Sequence, residues 1–381
     1  MPVAALDLDR SPGAIRVATF NADMARKGAG VLLKDLADRD PQILNVAEII
    51  LRVRPDILLL NEIDHDPQGM ALDWFADLLA DGVAGLEGID YLTRFSAPSN
   101  TGVPSGYDLD GDGKSAGPGD ALGYGRFPGQ YAMAVLSRYP LGNARTFREL
   151  PWSRVPRVVA PVNPDGTPFW PDVVWASLPL SSKSHWDLAF LMPDGRALHL
   201  LASHPTPPVF DGPEDRNGLR NAAEIGFWTS YISGEDWMVD DDGQGGGLAA
   251  DVSFVIAGDL NNDPEDGDGD KPAIRGLLSH PRMQDPAPVS PGAAEAAAQG
   301  GANTRQSGDP ARDTADWRDE PAPGNLRADY VLPSRDLTVT GSGVFWPAEA
   351  DPLHRLVVIK GRERASSDHR LVWVDIASVQ E

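Results

Sequence analysis

Phe254-Val255-Ile256-Ala257-Gly258-Asp259-Leu260-Asn261-Asn262-Asp263-Pro264 is the stretch that decides the fold. Four apolar residues, two of them β-branched, read as a buried strand. Gly258 frees the backbone, and an Asp and an Asn follow two positions apart. Residues i and i+2 of an extended chain share a side, so Asp259 and Asn261 are expected to face one spot at the strand's carboxyl end. That is where α/β sheets commonly place ligands. A carboxylate beside a neutral amide suits a hard divalent cation, or a water aimed at phosphorus. In isolation the same residues also read as an Asp/Asn turn closing a strand.

Outward from this stretch, other apolar runs end in polar residues of the same chemistry. Ile15 to Phe20 ends on Asn21, and Ile57 to Leu60 ends on Asn61-Glu62. Leu198 to Ala202 ends on Ser203-His204, and the run from Arg327 to Leu332 carries Asp329. Ser367-Asp368-His369 stands directly before the strand-like Leu371 to Ile376. Taken in order, Asn21, Glu62, His204, Gly258-Asp259-Leu260-Asn261, Asp329-Tyr330 and Ser367-Asp368-His369 resemble the endonuclease/exonuclease/phosphatase superfamily. Pancreatic deoxyribonuclease, abasic-site endonucleases, bacterial sphingomyelinases and inositol polyphosphate phosphatases belong to it. The resemblance runs from about Ile15 to Ile376, so one domain over residues 1–381 is expected, with loop insertions near 96–130 and 286–326. A bacterial subgroup of the superfamily, without a substrate defined by sequence, is the nearest likeness for Gly300-Gly301-Ala302-Asn303, Asp313 to Asp316 and His204-Pro205-Thr206-Pro207-Pro208.

The resemblance implies an α/β fold, a four-layer sandwich of two mixed β-sheets flanked by helices as in deoxyribonuclease. It also implies roles. Glu62 would be the principal ligand of Mg²⁺ or Mn²⁺, with Asn21 and Asp368 close by. Asp329 would pair with His369, Asp259 and Asn261 would hold the attacking water, and His204 would donate to a phosphoryl oxygen or protonate the leaving group. Either Asp259 or His369 would be the base.

Bulk properties narrow the class. The chain has no cysteine, which excludes disulfides, thiolate catalysis and Cys-bound zinc. No apolar run approaches the roughly 18 residues of a membrane span. Met1 to Ser11 shows no secretory signal, so the expectation is a cytoplasmic protein, or an exported one whose start was processed. A monomer is the default. The formal charge is -23, with no run of Lys or Arg. Proteins that track a nucleic-acid backbone normally carry a basic stripe, so the balance disfavours nucleic acid as partner. A local cationic site around Arg362 and Arg364 is compatible with binding one phosphate.

In chain order, apolar spacing predicts helix over Val31 to Arg54, with Pro41 splitting it or starting a second helix, and a short helix over Asp73 to Leu79. The Gly- and Pro-rich residues 96–130 predict irregular loop. Within them Asp108, Asp110 and Asp112 alternate as in a calcium loop, without the Glu that closes an EF-hand. His185 reads as a packed or surface histidine. The polar run Asp211 to Asn221 precedes a helix from about Ala222 to Ile232, and Asp215, Arg216, Asn217 and Arg220 are candidate substrate contacts. Residues 286–326 read as a polar insertion that wraps over the active face as a loop or is partly mobile.

The function expected is a divalent-metal-dependent phosphoesterase acting by in-line water attack on small or lipid-linked substrates. The Pro-Ala-Trp-Cys-Asp-Arg motif of inositol polyphosphate phosphatases is absent before Asp329, and so is the aromatic, Arg-rich run of abasic-site endonucleases. A nuclease on DNA or RNA is the alternative. A non-catalytic, calcium-stabilised binding protein is the reading from another class.

Overall fold

The deciding strand alternates between two cores. Val255 and Ala257 join one apolar cluster, while Phe254 and Ile256 join the other. A strand that is apolar at every position is therefore buried on both faces, between a second sheet and a helical layer. The computed structural model describes residues 6–320, 323–360 and 363–377.

The strands are β1 (Ile15–Met24), β2 (Ile57–Ile63), β3 (Thr93–Phe95), β4 (Ala132–Ser137), β5 (Leu141–Thr146), β6 (His185–Leu191), β7 (Ala197–Ser203) and β8 (Phe254–Asp259). They continue with β9 (Ala315–Asp316), β10 (Asn325–Leu326), β11 (Asp329–Pro333), β12 (Val339–Val344), β13 (Ile359–Lys360), β14 (Glu363–Arg364) and β15 (Val372–Ile376). One sheet runs β12-β15-β1-β2-β4-β3 and the other β11-β8-β7-β6-β5. Both are mixed, since β1–β2 and β7–β8 are parallel among antiparallel neighbours. The expected architecture is the one observed.

Helices cover the outer faces. Pro41–Val53 and Met70–Asp81 bury Ile43, Val46, Ile50, Phe75 and Leu79 with the first sheet. Arg216–Ile232 and Lys271–Leu278 bury Ile225, Trp228, Ile274 and Leu277 against Phe254 and Ile256. Of the two expectations for Pro41, splitting a helix or starting a second, the structure shows the second. Pro41 opens it, at a position whose N–H has no helical partner, behind an Asp40 carboxylate that accepts from the Gln42 N–H. The later helix starts at Arg216, six residues before the sequence expectation, and a carboxylate oxygen of Asp211 accepts the Asn217 N–H inside its first turn.

The first insertion is irregular apart from a single turn at Pro118–Asp120. The second is more regular than its composition suggests, with a helix at Pro291–Ala297 and the β9–β10 ribbon. Ser290 accepts from the Ala293 N–H and Pro291 presets the first turn, so an alanine-rich segment that reads as low complexity is capped as helix. The C-terminal strand is tied to the first by a buried fork, Arg16 Nε and Nη2 each 2.7 Å from an Asp375 oxygen. Among the described residues no helix is long and apolar enough to cross a membrane.

Candidate active site

Strand direction gathers the polar residues at one end of the sandwich. Asn21, Glu62, His204 and Asp259 lie at or just past the carboxyl ends of β1, β2, β7 and β8. Asp329 opens β11, antiparallel to β8, and His369 precedes β15, antiparallel to β1, so both stand at that same end. In register Asp329 faces Asp259, and a cross-strand pair projects side by side. Parallel β7 and β8 pair Ala202 with Ala257; continued two residues further, the register sets His204 beside Asp259. That close approach requires Gly258, where a Cβ would meet the Ser203 carbonyl oxygen at 2.0 Å.

Asp259 is the hub. Its Oδ2 lies 3.3 Å from His204 Nε2 and 3.6 Å from His369 Nε2, and it accepts from Asn21 Nδ2 at 3.0 Å. Its own N–H donates to Asn61 Oδ1 on the facing sheet. Burial favours the neutral acid, but His369 and His204 outweigh it and hold Asp259 well below the usual carboxylate range. His369 Nδ1 lies 2.9 Å from Asp329 Oδ2, which also accepts from Thr314 Oγ1 at 2.8 Å. Burial opposes a charged imidazole there, yet Asp329 and then Asp259 raise it to about 10. Asp329 itself is raised to about 6, by burial first, with the His369 charge opposing. At neutral pH the pair is an imidazolium on a carboxylate. His204 is the opposite case: burial, and then the Lys183 ammonium, push it down to about 4, so it is a neutral ring whose Nε2–H points at Asp259.

Beside this hub lies an oxygen-rich rim of Asp23, Glu62 and Asp368, with Asn21 behind it. Both Asp23 and Glu62 sit in the left-handed region, at φ 48 and 57, where β1 and β2 slip register by a bulge. Bulges of this kind re-aim side chains at the ends of strands. Burial, followed by the negative charge of Asp23, lifts Glu62 to about 7. Arg364 contributes one compensating charge, 2.6 Å from Asp23 Oδ2 and 2.6 Å from Asp368 Oδ2. An all-oxygen set that carries more negative charge than Arg364 compensates has the ligand chemistry of a hard divalent cation, although among the described residues the groups whose ligand atoms already lie within 4.8 Å of one another are Asp259, Asp329 and His369, and Asp108, Asp110 and Asp120. Asp23 is absent from the sequence reading. Its only signal is a place two residues after Asn21, beyond the apolar run. Lys183 is also new: it is buried, with Nζ 3.5 Å from the Pro205 carbonyl.

Other expectations meet a different arrangement. Asn261 is not extended beyond Asp259; at φ 52 it turns, donates from Nδ2 to the Pro205 carbonyl at 3.1 Å, and gives its N–H to Asp259 Oδ1. Both residues still line the cleft. The four candidate substrate contacts do not line it. Arg216 pairs with Glu214, Asn217 binds the Val209 carbonyl, and Arg220 donates to the carbonyls of Pro179 and Leu180. Asp215 is a left-handed residue at the start of its helix. Their polarity serves the helix N-terminus and the loops it anchors. In the Asp108 loop, Asp108 and Asp110 converge with Asp120, whereas Asp112 turns to Lys114 at 3.0 Å. His185 is packed, between Ser181 Oγ and the Glu224 carbonyl. Arg362 lies outside the described residues, while Arg364 is at the rim.

The cleft above these groups has a volume of about 1350 Å³. Its walls come from residues 207–210, 266–269, 316–319 and the Trp346–Ile359 region.

An acidic hub between two imidazoles, beside an oxygen-ligand rim at the end of a two-sheet sandwich, defines a phosphoester-hydrolase type of site. The model of the Endonuclease/Exonuclease/phosphatase family matches residues 18–369, and the chain belongs to that family, whose members are phosphoester hydrolases. Among solved structures, an endonuclease/exonuclease/phosphatase from Beutenbergia cavernae is similar at 19% identity and TM-score 0.52, covering 96% of this chain and 71% of that one. The human Nocturnin catalytic domain is similar at 16% identity and TM-score 0.46, covering 96% and 93%. Sphingomyelinase C from Streptomyces griseocarneus is similar at 14% identity and TM-score 0.46, covering 95% and 99%. No curated protein matches. At 19% identity the likeness to the Beutenbergia cavernae structure carries the fold alone.

Proposed function

We propose that the protein is a divalent-metal-dependent phosphodiesterase or phosphatase that cleaves small or lipid-linked phosphate esters by in-line attack of water. The observation that carries this reading is Asp259 Oδ2, set between the neutral His204 and the cationic His369. Glu62, Asp23 and Asp368, with Asn21, would hold Mg²⁺ or Mn²⁺. When bound, the ion supplies charge neutralisation for phosphoryl oxygens.

The remaining chemistry belongs to the chain. Asp259 aligns the attacking water and takes its proton; His204 donates to Asp259 and so fixes its direction. His204 itself, neutral and buried behind the hub, orients the carboxylate rather than protonating a leaving group. His369 carries its proton at neutral pH, which removes it as a base and makes its Nε2–H the donor to the leaving oxygen as the P–O bond breaks; the proton that Asp259 took from water then returns to the ring, 3.6 Å away. Asp329 keeps it in that form.

Duplex DNA is the weaker substrate, because the sequence has no run of Lys or Arg and, among the described residues, acids outnumber Arg in the cleft lining. The test is hydrolysis of bis(p-nitrophenyl) phosphate, p-nitrophenyl phosphate and plasmid DNA in parallel, each with EDTA, Mg²⁺, Mn²⁺ or Ca²⁺. Metal-dependent diester cleavage that Asp259→Ala abolishes is expected. Plasmid cleavage that falls steeply with salt, without turnover of the small diester, would support a nuclease instead. Chelator-sensitive melting without turnover of any ester would support the non-catalytic reading.

A further inference from the structure

Arg364 stands within the proposed metal rim. Its Nη1 lies 2.6 Å from Asp23 Oδ2 and its Nη2 2.6 Å from Asp368 Oδ2, so one guanidinium bridges two carboxylates assigned to the ion. The side chain is 37% exposed and lines the cleft together with Glu62, Asp259 and His369. The chain just past it is pinned. Asn45 Nδ2 donates to the Ala365 carbonyl at 2.8 Å, and Gln42 Nε2 donates to the Ser366 carbonyl at 2.6 Å. Arg364 can therefore change partners by rotating its side chain while the backbone behind it stays in place.

A second observation concerns spacing. A small divalent cation holds its oxygen ligands at about 2.0–2.1 Å, which brings neighbouring ligand atoms to about 3 Å from one another. Among the described residues, Asp23, Glu62 and Asp368 do not form a group whose ligand atoms all lie within 4.8 Å. The planar fork of Arg364 keeps the two oxygens it binds on separate nitrogens, so Asp23 and Asp368 do not close on an ion while the guanidinium holds both. An ion that takes both carboxylates leaves that fork with donors and no acceptor on the rim. Arg318 and Arg364 are the arginines among the residues lining the cleft. Arg364 is the one beside the hub: its partner Asp368 directly precedes His369, whose Nε2 lies 3.6 Å from Asp259 Oδ2. A planar set of N–H donors matches two oxygens of a phosphoryl group.

We propose that Arg364 is a substrate-phosphate ligand, held by Asp23 and Asp368 and exchanged onto the phosphoryl group when the divalent ion takes those carboxylates. The exchange rests on the metal-dependent reading of the site and adds a binding residue to it. Its consequence is linkage: through Arg364 the ion and the phosphoryl group favour each other, equally in both directions.

The test is calorimetric binding of Mg²⁺ and of methylphosphonate, a non-hydrolysable probe, to the wild type and to Arg364→Gln. Heat of Mg²⁺ binding that survives Glu62→Gln belongs to ions bound elsewhere and is subtracted. With Mg²⁺ alone, Arg364→Gln is expected to bind about ten-fold tighter, because the ion no longer displaces a cation. With methylphosphonate in EDTA the two proteins are expected to bind alike, because Asp23 and Asp368 hold the wild-type guanidinium. With methylphosphonate at saturating Mg²⁺, the variant is expected to bind about ten-fold more weakly. A merely structural role would weaken every affinity in the same direction. Arg364→Lys keeps the charge without the fork; it is expected to bind Mg²⁺ as the wild type does, and methylphosphonate at saturating Mg²⁺ several-fold more weakly. Equal methylphosphonate affinities of the wild type and Arg364→Gln at saturating Mg²⁺ would overturn the exchange, as would an Mg²⁺ affinity lowered by the substitution. If Mg²⁺ and Mn²⁺ bind to neither protein, the metal reading itself falls and the exchange falls with it.

Discussion

Replacing Asp329 by Asn removes one negative charge while keeping the shape of a fully buried side chain. In the wild type His369 is raised from 6.5 to about 10 against the effect of burial. Each pKa unit corresponds to about 1.4 kcal/mol, so the net preference for the cation is roughly 5 kcal/mol. Asp329 lies nearer to the ring than Asp259, 2.9 Å against 3.6 Å, and accounts for the larger part. Without it His369 is expected to fall to about 6.5 or below. At about pH 8 the imidazolium fraction would then drop from nearly complete to about 3%, a loss of roughly 30-fold; at about pH 5.5 most of the cation returns. The assay is kcat/KM for bis(p-nitrophenyl) phosphate across that range, with the His369 ring titration followed by NMR. Asp329→Asn should lose most activity on the alkaline side and approach the wild type as the pH falls. An equal fractional loss at every pH, or no loss with an unmoved titration, would refute the assignment of His369 as a cationic donor.

Three other outcomes are expected. Asp313 is buried, has an oxygen without a partner, and is raised to about 8, by burial first and then by Asp263, Asp266 and Asp309. The unfolded chain releases this proton near pH 4 and the folded chain only near 8, so stability is lost as pH rises between the two; Asp313→Asn should stabilise the fold at about pH 7.5 by a few kcal/mol at most, read as a higher Tm, and leave Tm unchanged near pH 4. Glu62→Gln should abolish the Tm increase given by Mg²⁺ or Mn²⁺ in thermal melts, while the metal-free protein melts no lower than the wild type, because a carboxylate raised to about 7 is a cost in the empty fold. For the Asp108, Asp110 and Asp120 cluster, millimolar Ca²⁺ should raise Tm, and Asp110→Asn should remove the increase; native mass spectrometry without a bound ion at that concentration would dispose of a calcium loop.

The addresses of the chemistry were legible directly in the sequence, and the two-sheet sandwich was legible through the family resemblance those addresses carry. Runs of apolar residues ending in Asn21, Glu62, His204, Asp259 and Asp329 are local signals. A strand that is apolar throughout must be covered on both faces, and a polar residue at its end stands where the sheet stops. Tertiary structure decided which of those residues meet and in what charge state. His204 and His369 look alike in sequence, yet one is neutral beside Lys183 and the other cationic on Asp329, because a pKa depends on neighbours that arrive from distant strands. Asp23 entered the rim only through the β1 bulge, and Asn261 left the extended line only through a left-handed turn. The polar run from Asp211 to Asn221 misled for the same reason: Arg216, Asn217 and Arg220 spend their donors on carboxylate and carbonyl groups around one helix start. Composition reports how polar a segment is. Only the folded chain decides whether that polarity faces a ligand or the protein's own backbone.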